Sequence, residues 1–196
     1  MGSPYQLAAL ARRLNRAAGS PAIPALFFLT DPKRTPDPVA AAKRLPRGTA
    51  VVYRHFGATD RAHIARQLAA ICRSRALILL IAADPELARR VGAGVHWPET
   101  RILARDGPGL IIAAAHNVDA IARAAACGAD ACILSPVFPT RSKLRREPLG
   151  VFRASQLAQR SAIPVIALGG VTAHNARLLA GRGFAGVAAI DALMNA

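Results

Sequence analysis

The sequence predicts an α/β fold, specifically a short, single-domain (β/α)8 TIM barrel, because eight apolar runs alternate with alanine-rich helical patterns over 196 residues. Continuous apolar runs of about 4–8 residues are typical of strands that are buried on both faces. Their alternation with helices predicts a parallel sheet, and eight strands can close it. An open doubly wound sheet is the alternative, but no Gly-x-Gly-x-x-Gly turn follows the first run, where the chain reads Leu29-Thr30-Asp31-Pro32.

Each element rests on a local pattern. The predicted strands are short apolar runs: Ala25–Thr30, Thr49–Tyr53, Ala76–Ile81, Gly94–Trp97, Leu110–Ala114, Ala131–Leu134, Val165–Leu168 and Gly186–Ala189. The predicted helices are alanine-rich: Pro38–Arg44, Arg61–Ser74, Pro85–Val91, Val118–Cys127, Val151–Arg160 and Ala173–Gly181. Side chains that can cap helices stand at several starts, namely Asp60, Asp84, Asn117 and Thr172.

The ends of the chain depart from this alternation. Tyr5–Ala18 has helical periodicity and is expected to cover the barrel floor. Residues 1–20 are therefore interpreted as an N-terminal helical extension and residues 21–196 as the barrel domain. Glu99–Arg105 predicts only a short, poor helix, and the last helix can hold only Asp191–Ala196.

The composition indicates a cytoplasmic protein without a membrane segment. No apolar run approaches the ~18 residues that a membrane span needs, and the first twenty residues lack the apolar core of a secretory signal. The three cysteines, Cys72, Cys127 and Cys132, have unrelated spacings. They are interpreted as reduced, mostly buried packing residues and not as disulfide or zinc ligands.

The charge is strongly positive, with 26 Lys+Arg against 11 Asp+Glu. Such an excess can bind nucleic acid. However, the arginines are scattered along the chain, aromatic residues are only 5%, and no basic–aromatic interleaving supports base stacking. We therefore expect no specific nucleic-acid partner and assign the charge to attraction of small anionic molecules. A homo-oligomer is left open.

Two strand ends carry the residues that a phosphate ester needs. Ser135–Lys143 is a loop with hydroxyls and a lysine, and it follows a short apolar run. Pro164–Val171 is an apolar strand that ends in Gly169 and Gly170. Hydroxyls, an ammonium group and glycine amides together favour a bound phosphate. In a parallel barrel both ends lie at the same face, so the sequence predicts a phosphate site there.

With these strand ends in place, the chain resembles the thiamine phosphate synthase/TenI family from about Ala25 to Leu193. The most specific matches are Ser135–Lys143, similar to the family's Gly-Pro-(Ile/Val)-Phe-Pro-Thr-x-(Thr/Ser)-Lys, and the run that ends in Gly169-Gly170. Weaker matches are Phe28–Asp31, Arg54, Val91–His96, His116 and Gly183–Ala188. The resemblance implies a (β/α)8 barrel that acts on thiazole phosphate in thiamine biosynthesis.

Departures from the family pattern indicate which branch of the family the chain resembles. The synthase joins a pyrimidine diphosphate to thiazole phosphate and uses magnesium on two aspartates. Asp84 matches one of them, but Arg101 stands where the other is implied, and Phe56 replaces a diphosphate-binding lysine. The thiazole-phosphate half is kept. The resemblance therefore implies the TenI branch, a thiazole tautomerase (an isomerase) without a cofactor. A magnesium-dependent synthase with a rearranged metal site, and a non-catalytic or regulatory phosphate-binding barrel, are the alternatives.

The predicted site residues follow from both arguments. His116 is the expected catalytic acid/base, since its ordinary pKa suits proton transfer near neutral pH; the alternative is a capping histidine. Thr140, Ser142, Lys143, Gly169 and Gly170 are expected to bind phosphate, although the loop is also simply polar. Arg54 is expected to bind an anionic group or to form a surface ion pair. No metal ligand is expected, unless Asp84 serves in a synthase.

Overall fold

The computed structural model of the chain describes residues 3–102, 109–140 and 146–194. Eight parallel strands pair in chain order and close into a barrel, with the last strand bonded to the first. The predicted fold class is therefore confirmed. The strands are β1 (Leu26–Leu29), β2 (Ala50–Tyr53), β3 (Ile78–Ala82), β4 (Gly94–Trp97), β5 (Ile111–Ala115), β6 (Ala131–Leu134), β7 (Val165–Ala167) and β8 (Phe184–Ala189).

The α-helices surround the strands. They are α1 (Pro4–Ala17), α2 (Pro38–Ala42), α3 (Arg61–Ser74), α4 (Pro85–Val91), α5 (Val118–Ala126) and α6 (Gly150–Gln159). Short 3-10 helices cover Glu99–Arg101, Asn175–Leu179 and Asp191–Leu193. The α-helix expected over Ala173–Gly181 is therefore wrong. Thr172 and Asn175 accept hydrogen bonds from each other's backbone amides and delay the start, while Gly181 turns left-handed at φ +69° and ends the segment.

Both faces of the strands are buried, which accounts for their apolar runs. One set of side chains fills the barrel, among them Phe27, Val52 and Ile166. The alternate set packs outward against the helices, among them Phe28 and Trp97. Trp97 and Phe28 are both completely buried. Alternation of side chains along a strand produces these two layers.

Helix α1 belongs to the outer layer. Ser3 and Gln6 form a reciprocal capping box at its start, and the helix packs mainly against β8. Asn15 then donates hydrogen bonds to the carbonyl oxygens of Ile23 (3.0 Å) and Ala185 (2.9 Å). The helix therefore stands beside β8 in the outer layer. The expectation that it lies beneath the barrel is wrong.

The cysteines are free thiols. Cys72 and Cys132 are buried, and burial raises the pKa of each to about 12. The packing interpretation is confirmed for these two. In the described part of the chain, no helix has the length and apolar character needed to cross a bilayer.

The two ends of the barrel are named here for later use. The mouth is the end at which the strands finish, and the floor is the end at which they start. The mouth also holds the starts of the helices that follow the strands. Asp84 and Asn117 cap α4 and α5 by accepting from the amides of Leu87 (2.9 Å) and Ala120 (2.8 Å), whereas Asp60 makes no cap bond to α3.

Candidate active site

Arg54 is anchored at the mouth by the end of β1. Its backbone amide donates to the Thr30 hydroxyl (2.9 Å) and its Nε donates to the Thr30 carbonyl (2.9 Å). Burial lowers the pKa of Arg54, and the nearby Asp31 carboxylate opposes that shift. The terminal guanidinium nitrogens make no hydrogen bond within the described residues, and the shortest ion pair is 3.9 Å to Asp31. Arg54 can therefore offer its terminal N–H groups to an anion.

Asp31 organises the arginines on this side of the mouth. Its carboxylate accepts hydrogen bonds from the amides of Lys33 and Arg34 and lies 3.3 Å from the Arg34 guanidinium. Burial alone would raise the pKa of Asp31, but these hydrogen bonds and the Arg34 charge bring it below the ordinary value. Arg34 also reaches Asp191 at 3.4 Å. Asp31 and Asp191 therefore form ion pairs with Arg34 here.

Arg61, the first residue of α3, holds the ends of β2 and β3. Its guanidinium donates to the carbonyl oxygens of His55 (2.8 Å) and Ala82 (2.8 Å), and Nε lies 3.9 Å from Asp84. The guanidinium carbon also lies 5.2 Å from the Tyr53 ring centroid, which is within the range of a cation–π contact. The sequence reasoning did not include Arg61 in the site; its position directly after the mouth residue Asp60 was the available signal.

The residues present do not fit a magnesium ion held as in the family. Magnesium requires oxygen ligands in near-octahedral geometry. Within the described ranges, no three histidine, cysteine or carboxylate side chains converge on one point. One Asp84 carboxylate oxygen accepts the capping hydrogen bond of α4, and the other faces Arg61. Arg101 ends the 3-10 helix after β4 and is exposed, so it brings a cation where a second carboxylate is implied.

His116 lies at the end of β5 and contacts protein groups through both ring nitrogens. Nδ1 is 2.5 Å from the Ser135 carbonyl oxygen and 3.3 Å from its hydroxyl. Nε2 is 3.5 Å from a Glu99 carboxylate oxygen, and Glu99 also pairs with Arg123 at 3.4 Å. The 3.5 Å separation is longer than a usual hydrogen bond. His116 is thus fixed on one side and loosely held on the other.

The ends of β6 and β7 form a tight cradle. Val137 and Phe138 donate backbone hydrogen bonds to Leu168 (2.8 Å) and Gly169 (3.0 Å). A Cβ on Gly169, at φ +95°, would lie 2.7 Å from Pro136, and one on Gly170, at φ +62°, would collide with the Pro139 carbonyl. Glycine is therefore needed at both positions for the backbone conformation and for the close approach. Within the described residues, the amides of Gly169 and Gly170 donate to no acceptor.

The predicted phosphate ligands are only partly described. Thr140 is exposed at the end of the cradle loop and engages in an interaction. Ser142 and Lys143 lie outside the described residues. The structure brings Gly169, Gly170 and the Pro136–Thr140 segment together at one part of the mouth, with Ser135 joining them to His116. Arg54 and Asp84 belong to the β1–β3 part.

Two further histidines are buried near the mouth. His96 points into the barrel between the outward residues Val95 and Trp97, and its Nε2 finds no partner in the described part of the chain. Burial, helped by the Arg54 charge, lowers the pKa of His96 to about 3. His55 is also buried without a partner for Nε2, and burial lowers its pKa. Both rings are therefore neutral at physiological pH.

Comparisons with known proteins agree on one family. The sequence model of a family described as thiamine monophosphate synthase matches residues 26–193. The thiamine-phosphate synthase of Bacillus velezensis is 30% identical over 94% of this chain and 89% of its own length. That of Chlorobium luteolum is 35% identical over 90% and 88% of the two chains.

Solved structures support the fold. A thiamine phosphate pyrophosphorylase from Pyrococcus furiosus superposes with a TM-score of 0.70, at 24% identity, over 95% of this chain and 90% of that one. At this identity the likeness concerns the barrel alone.

These relatives correct the expected activity. The tautomerase (isomerase) assignment is wrong, because curated relatives at 30–35% identity over most of the chain bear the name thiamine-phosphate synthase. The sequence argument counted the lost carboxylate and lysine and so discarded the synthase. It did not count Arg61, which the fold places among Tyr53, His55 and Asp84.

Proposed function

Because the chain belongs to the thiamine monophosphate synthase family, we propose that it is a thiamine-phosphate synthase, a transferase that joins a pyrimidine diphosphate to thiazole phosphate. The observation that carries this proposal is the identity of 30–35% to relatives of that name over most of both chains. The activity is assigned to residues 21–196, with residues 1–20 as a helical extension. The proposed setting is the cytoplasm, where free thiols stay reduced.

The thiazole phosphate is assigned to the cradle at the ends of β6 and β7. The amides of Gly169 and Gly170, which donate to no acceptor among the described residues, suit phosphate oxygens, as backbone N–H groups do in other anion sites. Thr140, Ser142 and Lys143 continue the same loop and would add hydroxyl donors and an ammonium group. Lys143 would supply a point charge to the phosphate.

The pyrimidine diphosphate is assigned to the β1–β4 part of the mouth. During coupling, the bond from the pyrimidine-bearing carbon to the diphosphate oxygen breaks while the bond to the thiazole forms, and the diphosphate leaves with the electron pair. Fixed cations stabilise such a leaving group. Arg54 offers its terminal N–H groups, and Arg61 and Arg101 add positive charge on neighbouring strand ends. These side chains are the proposed diphosphate ligands.

His116 is proposed to act on the departing diphosphate. Its Nδ1 is held by the Ser135 carbonyl, while the Nε2 contact to Glu99 is long, at 3.5 Å. Nε2 can therefore turn toward a substrate oxygen, while Glu99 remains beside the ring. The proton transferred to the diphosphate oxygen would come from His116.

Magnesium is what the resemblance implies for this reaction. One carboxylate, Asp84, with the cations Arg61 and Arg101 on the same side of the mouth, does not fit the ion as the family binds it. The roles above are therefore assigned to side chains of this chain alone, and any response to magnesium has to be measured.

The direct test is coupling. The purified protein is incubated with pyrimidine diphosphate and thiazole phosphate, with magnesium or with a chelator, and thiamine phosphate and released diphosphate are quantified together. We expect both products in equal amounts and expect Arg54→Gln to reduce them strongly. No thiamine phosphate under either condition, with the protein shown to be folded, would refute the proposal.

A further inference from the structure

The end of the barrel opposite the candidate site carries its own set of exposed basic residues. In a parallel barrel, the segments that lead into the strands all lie at one end, here the floor. We define the floor arc as the exposed basic residues of those segments: Arg16, Lys43, Arg44, Arg47, Arg73, Arg90, Arg160 and Arg182. They lead into β1, β2, β3, β4, β7 and β8.

These segments are continuous around the barrel. Strands β7, β8, β1, β2, β3 and β4 are consecutive neighbours in the closed sheet. Gly48, next to Arg47, donates to the Ala76 carbonyl (2.8 Å), and Arg73 and Gly92 border one cavity of about 370 Å³. Arg182 borders another cavity with Ala17 of α1. The floor-arc residues therefore stand on neighbouring segments at one end of the barrel.

In the part of the chain that the structure describes, the floor-arc residues form no ion pair with a carboxylate. Within the described ranges, every ion pair involves Asp31, Asp84, Glu86, Glu99 or Asp191, and none involves a floor-arc residue. Asp130 precedes β6, outside the arc, and accepts a hydrogen bond from the Ile111 amide.

Helix dipoles explain only part of this pattern. A cation in the last turn of a helix is stabilised by the carbonyl end of the dipole, which accounts for Arg16, Arg73 and Arg90. Arg47 and Arg182 lie in loops, beyond the helix ends, so the dipole does not explain them. Self-repulsion among unpaired cations costs stability, and a polyanion would relieve it.

We propose that the floor arc binds the phosphodiester backbone of duplex nucleic acid without sequence preference. A small phosphorylated molecule could engage only one or two of these cations, whereas a duplex presents one charge per ~1.7 Å of its axis. Arginine forks suit phosphate oxygens. The exposed aromatic residues of the described chain, Tyr5, Phe56 and Phe152, lie outside the floor segments, so the arc offers no platform for stacking unpaired bases.

The test compares two variants of equal net charge. The floor variant is Arg47→Gln/Arg73→Gln/Arg182→Gln. The control is Arg12→Gln/Arg66→Gln/Arg153→Gln, whose exposed residues lie within α1, α3 and α6. Both change the formal charge from +15 to 15 − 3 = +12. Binding to a labelled DNA duplex, an RNA duplex of the same sequence and the single DNA strand is followed by fluorescence anisotropy over a range of salt concentrations.

We expect the native protein and the control to bind both duplexes alike, within about twofold. The floor variant should bind at least about tenfold more weakly, and its log–log salt slope should fall by about 3, at roughly 0.9 per lost phosphate contact. Thermal melting checks that each variant is folded; if the floor variant is not, Arg47→Gln/Arg182→Gln replaces it, with Arg12→Gln/Arg66→Gln as its control.

Several results would overturn the proposal. Equal weakening by the floor and control variants would show a diffuse charge effect. Tighter binding to the single strand would indicate base stacking. Tighter binding to phosphatidylserine vesicles than to duplex, lost in the floor variant, would assign the arc to a membrane surface. Absence of duplex binding at low salt would remove the site altogether.

Discussion

The mouth and the floor of this barrel are both rich in arginine, yet they differ in what the arginines face. At the mouth, Arg34 and Arg61 approach Asp31 and Asp84, and Arg54 is anchored on Thr30. At the floor, the arc residues have no carboxylate partner within the described chain. The same residue type is therefore held in fixed positions at one end and left exposed at the other.

The difference follows from the direction of the chain. Helices begin at the mouth, where aspartate and asparagine cap them, and end at the floor, where cations suit the carbonyl ends. The carboxylates gathered at the mouth for capping also orient arginines there. The cations of the floor arc have no such counterpart among the described residues.

Changing Gly170 to alanine has the largest expected effect at the mouth. The new Cβ would collide with the Pro139 carbonyl and displace the cradle, and a shift of ~1 Å in a ligand-holding segment can cost about 10²-fold in rate. Steady-state kinetics of coupling measures this loss. Gly181→Ala is the floor-side control, because Gly181 has a similar φ of +69° but no atom within 4 Å of the added Cβ. Equal losses in both variants would argue against the cradle.

Removing the Arg54 charge tests the diphosphate half of the mouth. A charge-assisted hydrogen bond is worth about 1.5–3 kcal/mol, so Arg54→Gln should raise the KM for pyrimidine diphosphate about tenfold to hundredfold. Arg47→Gln removes the same charge from the floor and should leave KM unchanged. If both variants raise KM similarly, long-range attraction and not a fixed contact at the mouth is responsible.

The dependence of stability on acid pH tests whether His96 is buried as a neutral ring inside the barrel. The folded-state pKa of about 3 lies below the ordinary 6.5, so the unfolded chain binds a proton first. Stability is full above pH 6.5 and falls as the pH drops toward 3. At ~1.4 kcal/mol per pH unit, the loss between pH 7 and pH 5 is about 2 kcal/mol. Urea unfolding of His96→Leu should lack this loss, whereas His63→Leu, at an exposed position on α3, should keep it.

The smallest expected effect distinguishes two mouth aspartates. Asp37 caps α2 by accepting from the Ala40 amide at 2.8 Å, so Asp37→Ala should lower the free energy of unfolding by about 1 kcal/mol. Asp60 makes no cap bond, so Asp60→Ala should stay within about 0.5 kcal/mol of the native protein. Chemical denaturation measures both, and a larger loss for Asp60→Ala would contradict this distinction.

The barrel could be predicted from sequence because nearly all strand residues are buried on both faces of the sheet. Apolar runs such as Gly94–Trp97 and Ala131–Leu134 have the same bounds in the structure as in the prediction. The segment after β7 could not be predicted as well, because its outcome depends on the mutual Thr172–Asn175 hydrogen bonds. These compete with a regular helix, and helical periodicity does not reveal them.

The site was harder to predict, because its contacts join residues that are distant in sequence. Glycines 169 and 170 could be identified from their strand-end position, and their backbone geometry now has a steric reason. The Glu99–His116 contact and the place of Arg61 over β2 and β3 arise only when neighbouring strand ends meet. Interpreting the missing carboxylate at Arg101 and the missing lysine at Phe56 one at a time led to the wrong activity. Neither change reveals which other cations the fold brings to this part of the mouth.

The position of α1 has a consequence for the order in which the chain can fold. During synthesis α1 emerges before every strand, but the strand it packs against, β8, emerges after all the others. Until β8 is made, the apolar side of α1, including Leu7 and Leu14, lacks the strand that it contacts most. Contacts of such long sequence separation form slowly. The Asn15–Ala185 hydrogen bond thus joins the helix before β1 to the last strand of the barrel, and this part of the wall forms only after β8 has been made.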